Sequence, residues 1–222
     1  MASSRRSTPR RVGRVVARSA LGLVAALLLA NLAILGTSLA LQAAAADPAI
    51  TAEGVHNLRV VADRVIRGAA RSAHGYRTLA GQGVATVIDL RAEEDLDVPV
   101  ALLDELGVEL VSLPIRDGQT PTEDQVRAVL DAVERADGLV YLHCGAGVGR
   151  TGAMAAAYLV ATGQRSRAQV LRANLAVGPP TVEQLFYASF LHTDDFEQPP
   201  VFVTATSRFL DAPRRLWSRY GF

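Results

Sequence analysis

Cys144 and Arg150 stand six positions apart, and only Gly145, Ala146, Gly147, Val148 and Gly149 lie between them. A loop with so few side chains lets successive backbone N–H groups turn inward and form an anion cradle at a helix N-terminus. A free thiol titrates near ~8.5, and a helix N-terminus beside a guanidinium lowers that to roughly 3.5–7.5, which would make Cys144 a thiolate at neutral pH. Arg150 adds a planar fork matched to two oxygens of a phosphate. A nucleophile beside an oxyanion cradle points to phosphoryl transfer through a phosphocysteine.

The flanking residues supply the elements such a loop needs. Leu139 to Leu142 is an apolar run into His143, and Arg150, Thr151 and Gly152 head an alanine-rich helical segment, so the stretch reads as strand, tight loop and helix start. Gly147, Gly149 and Gly152 also match G-x-G-x-x-G, but a dinucleotide site needs an acid about 20 positions later for the ribose. Between Asp137 and Glu183 there is none. A Walker loop requires lysine, and the 23 basic residues are all arginine. An inert buried cysteine beside a glycine turn leaves Arg150 without a reason.

The surrounding chain alternates strands and helices. Arg59 to Ile66 is partly alternating and β-branched, as in an edge strand or hairpin. Ser72 is placed to cap a helix through Leu79, and Val84 to Leu90 is a continuous apolar strand of the buried type. Asp97 and Pro99 read as the cap and first turn of a helix closed by Gly107. Val108 to Leu113 is the next strand, followed by a Gly- and Pro-marked loop through Pro121. Thr122 and Gln125 form a capping box ahead of the Val126, Val129, Leu130, Val133 stripe of an amphipathic helix. Thr151 to Ala161 is a helix, Ser166 caps another through Leu175, and Thr181 with Gln184 forms a second capping box. This order implies an α/β fold with a central, mostly parallel sheet flanked by helices and its active loops at the carboxyl ends of strands. Asp117 and Cys144 both lie just beyond such ends, so they can meet although 27 residues apart. Asp89 and Arg91 close a strand and fit an ion pair or a turn.

His143-Cys144, five residues, then Arg150-Thr151-Gly152 resembles the signature loop of the cysteine-dependent protein tyrosine and dual-specificity phosphatases, on the compact dual-specificity side. The resemblance covers roughly Asn57 to Leu191. It implies that the fold is dual-specificity-phosphatase-like, that Cys144 is the nucleophile, and that residues 145–149 with Arg150 bind phosphate. It further implies that Asp117 is the general acid, that Thr151 steadies the departing thiolate, and that His143 orients the loop. The implied substrate is a phosphorylated protein or a small phosphomonoester. The same loop, through AGVGRT, also resembles that of cysteine-type phytases, although no cation stands between Cys144 and Arg150. A non-catalytic phosphate-binding module is the alternative of another class. His56, His74 and His192 have no metal-ligand spacing, and neither metal nor cofactor is expected.

Composition adds a boundary condition. Residues 1–18 hold six arginines and no acid, and residues 20–41 form a 22-residue uncharged apolar run, long enough at about 1.5 Å per residue for the ~30 Å hydrocarbon core. The expected division is a basic segment 1–18, a membrane anchor or signal peptide 19–46, a linker 47–56, a phosphatase domain 57–192 and a tail 193–222. Ala43 to Ala46 offers a cleavage site if the helix is a signal peptide, whose apolar core is usually shorter. Arg5 and Arg6 are a weak twin-arginine candidate. The positive-inside rule puts the N-terminus in the cytoplasm and the domain outside it, membrane-held through residues 20–41 or secreted after cleavage. Residues 47–222 carry 17 arginines against 22 acids, which argues against a nucleic-acid partner. The single cysteine allows no intramolecular disulfide. The tail interleaves Arg208, Arg214, Arg215 and Arg219 with aromatic residues, fitting either a membrane interface or a segment docked on the domain.

Overall fold

Alternating side-chain direction along a strand gives a sheet two faces, and here both faces are buried. The computed structural model describes residues 9–45, 50–70, 72–92 and 100–212. Strands β1 (Val55–Ala62) and β2 (Val65–Ala70) form an antiparallel hairpin; β3 (Val84–Arg91), β4 (Glu109–Ile115) and β5 (Leu139–His143) join it in the order β1-β2-β5-β3-β4. The three pairings β2·β5, β5·β3 and β3·β4 are parallel. Along β5, Val140 and Leu142 enter one core while Tyr141 enters the other. Helices α2 (Ala73–Gly81) and α3 (Val100–Glu105) cover the Tyr141 side. The opposite side is covered by α4 (Glu123–Arg135), α5 (Gly149–Ala161), α6 (Arg167–Val177) and α7 (Val182–Phe190).

Local signals explain the helix starts. Thr122 Oγ1 and Thr181 Oγ1 each accept from the backbone three residues on, and the Gln125 and Gln184 side chains return the bond, the reciprocal capping box expected at both places. Ser72 accepts from the Gly75 amide at the head of α2. The expected cap at Asp97 and Pro99 lies outside the described residues, although α3 does close at Gly107, whose φ is +68°.

Two boundaries differ from the expected ones. Val55 and His56, expected in the linker, are the first residues of β1, because the hairpin pairs them with Ala70 and Ala69. The expected tail contains α8 (Val201–Leu210), which packs on α7. Its Ser207 Oγ accepts from the Glu183 amide at 3.0 Å, and Arg208 Nε lies 3.2 Å from Glu183 Oε2. These bonds satisfy a backbone donor of the first turn of α7, which no intrahelical bond reaches. Residues 213–222, with Arg214, Arg215 and Arg219, lie outside the described part.

The N-terminal helix α1 runs from Pro9 to Ala44. Leu21, Leu28, Leu29, Leu32, Leu35 and Leu39 are exposed on it, and Ala25–Ala44 is apolar and long enough to cross a bilayer. The last two turns of α1 belong to the globular part. Ser38 is fully buried and donates to the Leu175 carbonyl of α6 at 2.7 Å, while Gln42 donates to the Ser38 hydroxyl at 2.9 Å.

Candidate active site

The loop between β5 and α5 is shaped by what holds its carbonyls. Asn57 Nδ2 donates to Ala146 O at 2.8 Å, and Arg67 Nη2 donates to Gly147 O at 2.9 Å and Val148 O at 3.0 Å. In a planar trans peptide the C=O and the following N–H point in opposite directions. Three consecutive carbonyls pulled outward therefore turn the amides of Gly147, Val148 and Gly149 to the other side, toward the bowl that Cys144 borders. The start of α5 adds its own amides and the positive end of its dipole.

The glycines follow from close approach. Gly147 has φ +71°, and a Cβ there would lie 2.6 Å from the Gly68 carbonyl carbon and oxygen of β2. At Gly149 a Cβ would meet the Gln184 amide group, with Oε1 at 2.7 Å. Asn57 itself has φ +55° at an irregularity of the β1–β2 ladder, a conformation Asn tolerates better than most residues.

The expected site residues come together. Cys144 is buried at the end of β5. Arg150 lies in the first turn of α5, its Nη1 donating to Ile115 O at 3.1 Å and its Nη2 3.7 Å from Asp117 Oδ1. The end of β4 thus reaches the loop after β5, and Asp117, its side chain 36% exposed, stands at the mouth. Thr151 is fully buried, and its Oγ1 has no hydrogen-bond partner among the described residues.

His143 lies beneath the loop, fully buried, its ring stacked on Tyr141 with centroids 5.3 Å apart. Burial drives its pKa from 6.5 down to about 4, against the opposing effect of Asp89. The ring is neutral at pH 7, and one tautomer fits its neighbours. Nδ1 faces Cys144 O at 3.4 Å, an acceptor only, so the proton sits there; Nε2 accepts from the Tyr76 hydroxyl at 3.2 Å. Asp89 Oδ1 lies 3.9 Å from Nδ1 and the carboxylate is held bidentately by Arg91, with Nη2 to Oδ2 at 2.9 Å.

Three groups escaped sequence reasoning. Arg67 looks like an ordinary hairpin charge, yet it is 4% exposed, and burial lowers its pKa to about 10 while Cys144 pulls it back up. Asn174 of α6 accepts from Arg67 Nη1 at 2.8 Å and donates to Gly152 O at 2.9 Å. Gln184, read only as a capping residue, donates to Gln119 O at 3.0 Å while lying against Gly149. Thr181 Oγ1 donates to Gly118 O at 2.9 Å, and Gln198 accepts from Thr120 Oγ1 at 2.9 Å and donates to Pro121 O at 2.6 Å. The Asp117 loop is thereby tied to α7 and to the segment leading into α8. Nothing short of the tertiary fold signals these contacts, except that Gln184 belongs to a capping box whose second donor is unspent.

Comparison with known proteins agrees with this geometry. A family model described as PTP-NADK, DSP-PTPase phosphatase fused to NAD+ kinase, matches residues 46–189. The human dual specificity protein phosphatase CDC14C is 35% identical over 81 residues, covering 34% of this chain and 18% of that protein. The chain therefore spans less than a fifth of that relative's length. Among solved structures, Tk-PTP in the active form aligns with TM-score 0.52 and 24% identity over 59% of this chain and 92% of its own. The core catalytic domain of the PP-IP phosphatase SIW14 from S. cerevisiae, in complex with citrate, aligns with TM-score 0.56 and 13% identity over 74% and 96%. Both likenesses are of fold.

Proposed function

This chain belongs to the DSP-PTPase family of cysteine-dependent phosphatases, and we propose that it hydrolyses a phosphomonoester through a phosphocysteine at Cys144. The Cys144 thiolate attacks phosphorus, the P–O ester bond breaks, and Asp117 gives its proton to the leaving oxygen. The loop amides and the Arg150 guanidinium hold the three equatorial oxygens, where transition-state charge resides. Water then attacks the phosphocysteine, Asp117 takes its proton, and the P–S bond breaks to release phosphate and the thiolate. Thr151, with its buried unpartnered hydroxyl, is assigned to steady that thiolate. His143 is a positioning residue, bonded to the Cys144 carbonyl and too hard to protonate to act as a base near pH 7.

The observation that carries this reading is the loop itself. Three pinned carbonyls preset the cradle, and Arg150 and Asp117 share its mouth. A non-catalytic phosphate binder would need neither a cysteine at the cradle's edge nor an acid at its mouth.

For substrate class, a phosphorylated protein is the first reading, since no cation stands between Cys144 and Arg150 to meet a polyanion. An inositol phosphate is the second, supported by the AGVGRT loop and by the fold held in common with a PP-IP phosphatase. For location, the exposed leucines of α1 and the arginines before it support a single-pass anchor with the catalytic domain outside the cytoplasm. A secreted form follows if the helix is cleaved.

The test is hydrolysis of an aryl phosphate by the full chain in neutral detergent, beside Cys144→Ser. Wild-type turnover with none in the serine variant is expected. A Cys144→Ser protein that keeps its rate overturns the mechanism. Phosphotyrosyl and phosphoseryl peptides set against inositol phosphates in the same assay decide the substrate class.

A further inference from the structure

We propose that the cavity enclosed by β1, α5, α6 and the end of α1 binds the headgroup phosphate of an anionic phospholipid through Arg59, Arg67 and Arg165. The inference rests on reading α1 as a membrane anchor, and goes beyond it by giving the domain a lipid site of its own.

The cavity has a volume of about 210 Å³ and is separate from the bowl at Cys144. Three arginines line it, and no acid does so among the described residues. Arg59 and Arg67 face one another across the β1–β2 ladder. Like charges directly opposite on a sheet are destabilising, and Arg59 indeed adds to the lowering of the Arg67 pKa. The Nη groups of Arg67 are spent on Asn174, Gly147 and Val148, but its buried Nε has no hydrogen-bond partner among the described residues. A buried N–H donor without an acceptor is rare in folded proteins and is relieved by a bound anion. An anion in this cavity would separate the two facing guanidinium groups and accept from that Nε.

The rest of the lining fits a lipid better than a free anion. Val60, Val61, Leu159, Val170 and Val177 make most of the wall apolar, and Val60 is 51% exposed. Ala45, just past the end of α1, closes one side. An adjoining groove of about 460 Å³ lies between Leu41 and Ala44 of α1 and Arg165 and Arg172 of α6. The exposed leucines of α1 require an apolar phase around them, and the buried Ser38 bond to α6 brings the rim of that phase to this groove. Headgroup phosphates would then lie level with Arg165 and Arg172, with acyl chains running along α1.

The test titrates the full chain in neutral detergent with dihexanoyl phosphatidylglycerol, read by native mass spectrometry. Dihexanoyl phosphatidylcholine and deacylated glycerophosphoglycerol are the comparison ligands. One phosphatidylglycerol per chain is expected, with binding weakened on the order of tenfold for each of Arg59→Gln and Arg165→Gln, the scale of a lost hydrogen bond to a charged group. Aryl phosphate hydrolysis in detergent should be unchanged by both substitutions, which checks their folding. Equal binding of phosphatidylcholine, or full binding by both variants, overturns the site. Equal binding of glycerophosphoglycerol overturns the lipid in favour of a soluble anion. Displacement of the lipid by inorganic phosphate would move it to the Cys144 loop and overturn the proposal as well. Because the titration needs no bilayer, loss of the chain from membrane fractions would refute the anchor while leaving the lipid result to be read independently.

Discussion

Arg150 Nη2 lies 3.7 Å from Asp117 Oδ1, joining the loop after β5 to the loop after β4 at one mouth. The same guanidinium is braced from behind by Ile115 O, two residues before Asp117. The anion fork and the proton donor are thus carried by one rigid junction. Asp117→Asn keeps the shape and removes the proton, so turnover should fall by roughly 10²–10⁴ with vanadate affinity little changed. Normal kinetics at every pH in the asparagine variant would move the acid role to another carboxylate.

Arg67 is a positioning residue for the cradle, since it touches two loop carbonyls and no substrate atom. Arg67→Lys keeps a positive charge but cannot span Asn174 and both carbonyls, and it frees the Gly147 and Val148 peptides to rotate. We expect kcat/KM to drop roughly ten- to a hundredfold, below the ~10²–10³ lost with a cradle donor itself. Vanadate affinity should fall in parallel, which mere thermal destabilisation would not cause at temperatures where the variant stays folded. Unchanged vanadate binding would show that the loop holds its shape without this arginine.

The sequence made the strand, loop and helix around Cys144 legible because composition alone dictates them: small residues between an apolar run and an alanine-rich helix admit little else. Thr122 and Thr181 announced their helices for the same reason, since a capping box is written within four residues. Arg67 and Asn174 were not legible. Their partners lie 80 and 22 residues away at Gly147 and Gly152, and an arginine in a hairpin reads as solvated until the sheet order puts β2 beside β5. The docking of α8 was hidden by the prolines before it, which break the chain without saying where it goes next.

The buried His143 makes stability depend on pH. Its folded pKa of about 4 lies below the 6.5 of the unfolded chain, so between these values the unfolded state binds a proton that the folded state refuses. Stability from this source is therefore fully present above about pH 6.5 and declines as pH falls toward 4. At about 1.4 kcal/mol per pH unit, the decline reaches about 3 kcal/mol. Thermal midpoints of wild type and His143→Gln, measured from pH 7.5 to 4, should converge as the solution is acidified. Parallel curves would assign the acid sensitivity to other groups.

Glu183 is fully buried, while the Arg208 side chain that meets it is 45% exposed. Removing the cation leaves a carboxylate without its partner at the head of α7, next to the Thr181 bond that holds the Asp117 loop. Arg208→Ala should destabilise the domain by about 1–2 kcal/mol, the lower part of the range for a bond to a charged group because water reaches the arginine. Arg208→Ala with Glu183→Gln should recover part of that loss. A double variant less stable than the single one would contradict the pairing.

The course of α1 makes a claim about where the enzyme works. Between Arg18 and Ser38 lie 19 uncharged residues, which as a helix extend about 28 Å, close to the ~30 Å hydrocarbon core. Ser38 is then the first residue fixed to the domain, through Leu175 O, and the catalytic domain abuts the bilayer without a free linker. Six arginines precede the span, so the domain should face away from the cytoplasm. Protease added to intact cells should digest residues beyond 45 while cytoplasmic markers survive, and the full-length mass should remain in membranes. Protection of the domain until lysis would reverse the orientation, and a soluble form beginning near Asp47 would make the helix a signal peptide. In that case the mature domain would lack the Ser38 and Leu41 packing on α6, and its thermal midpoint should lie below that of the full chain.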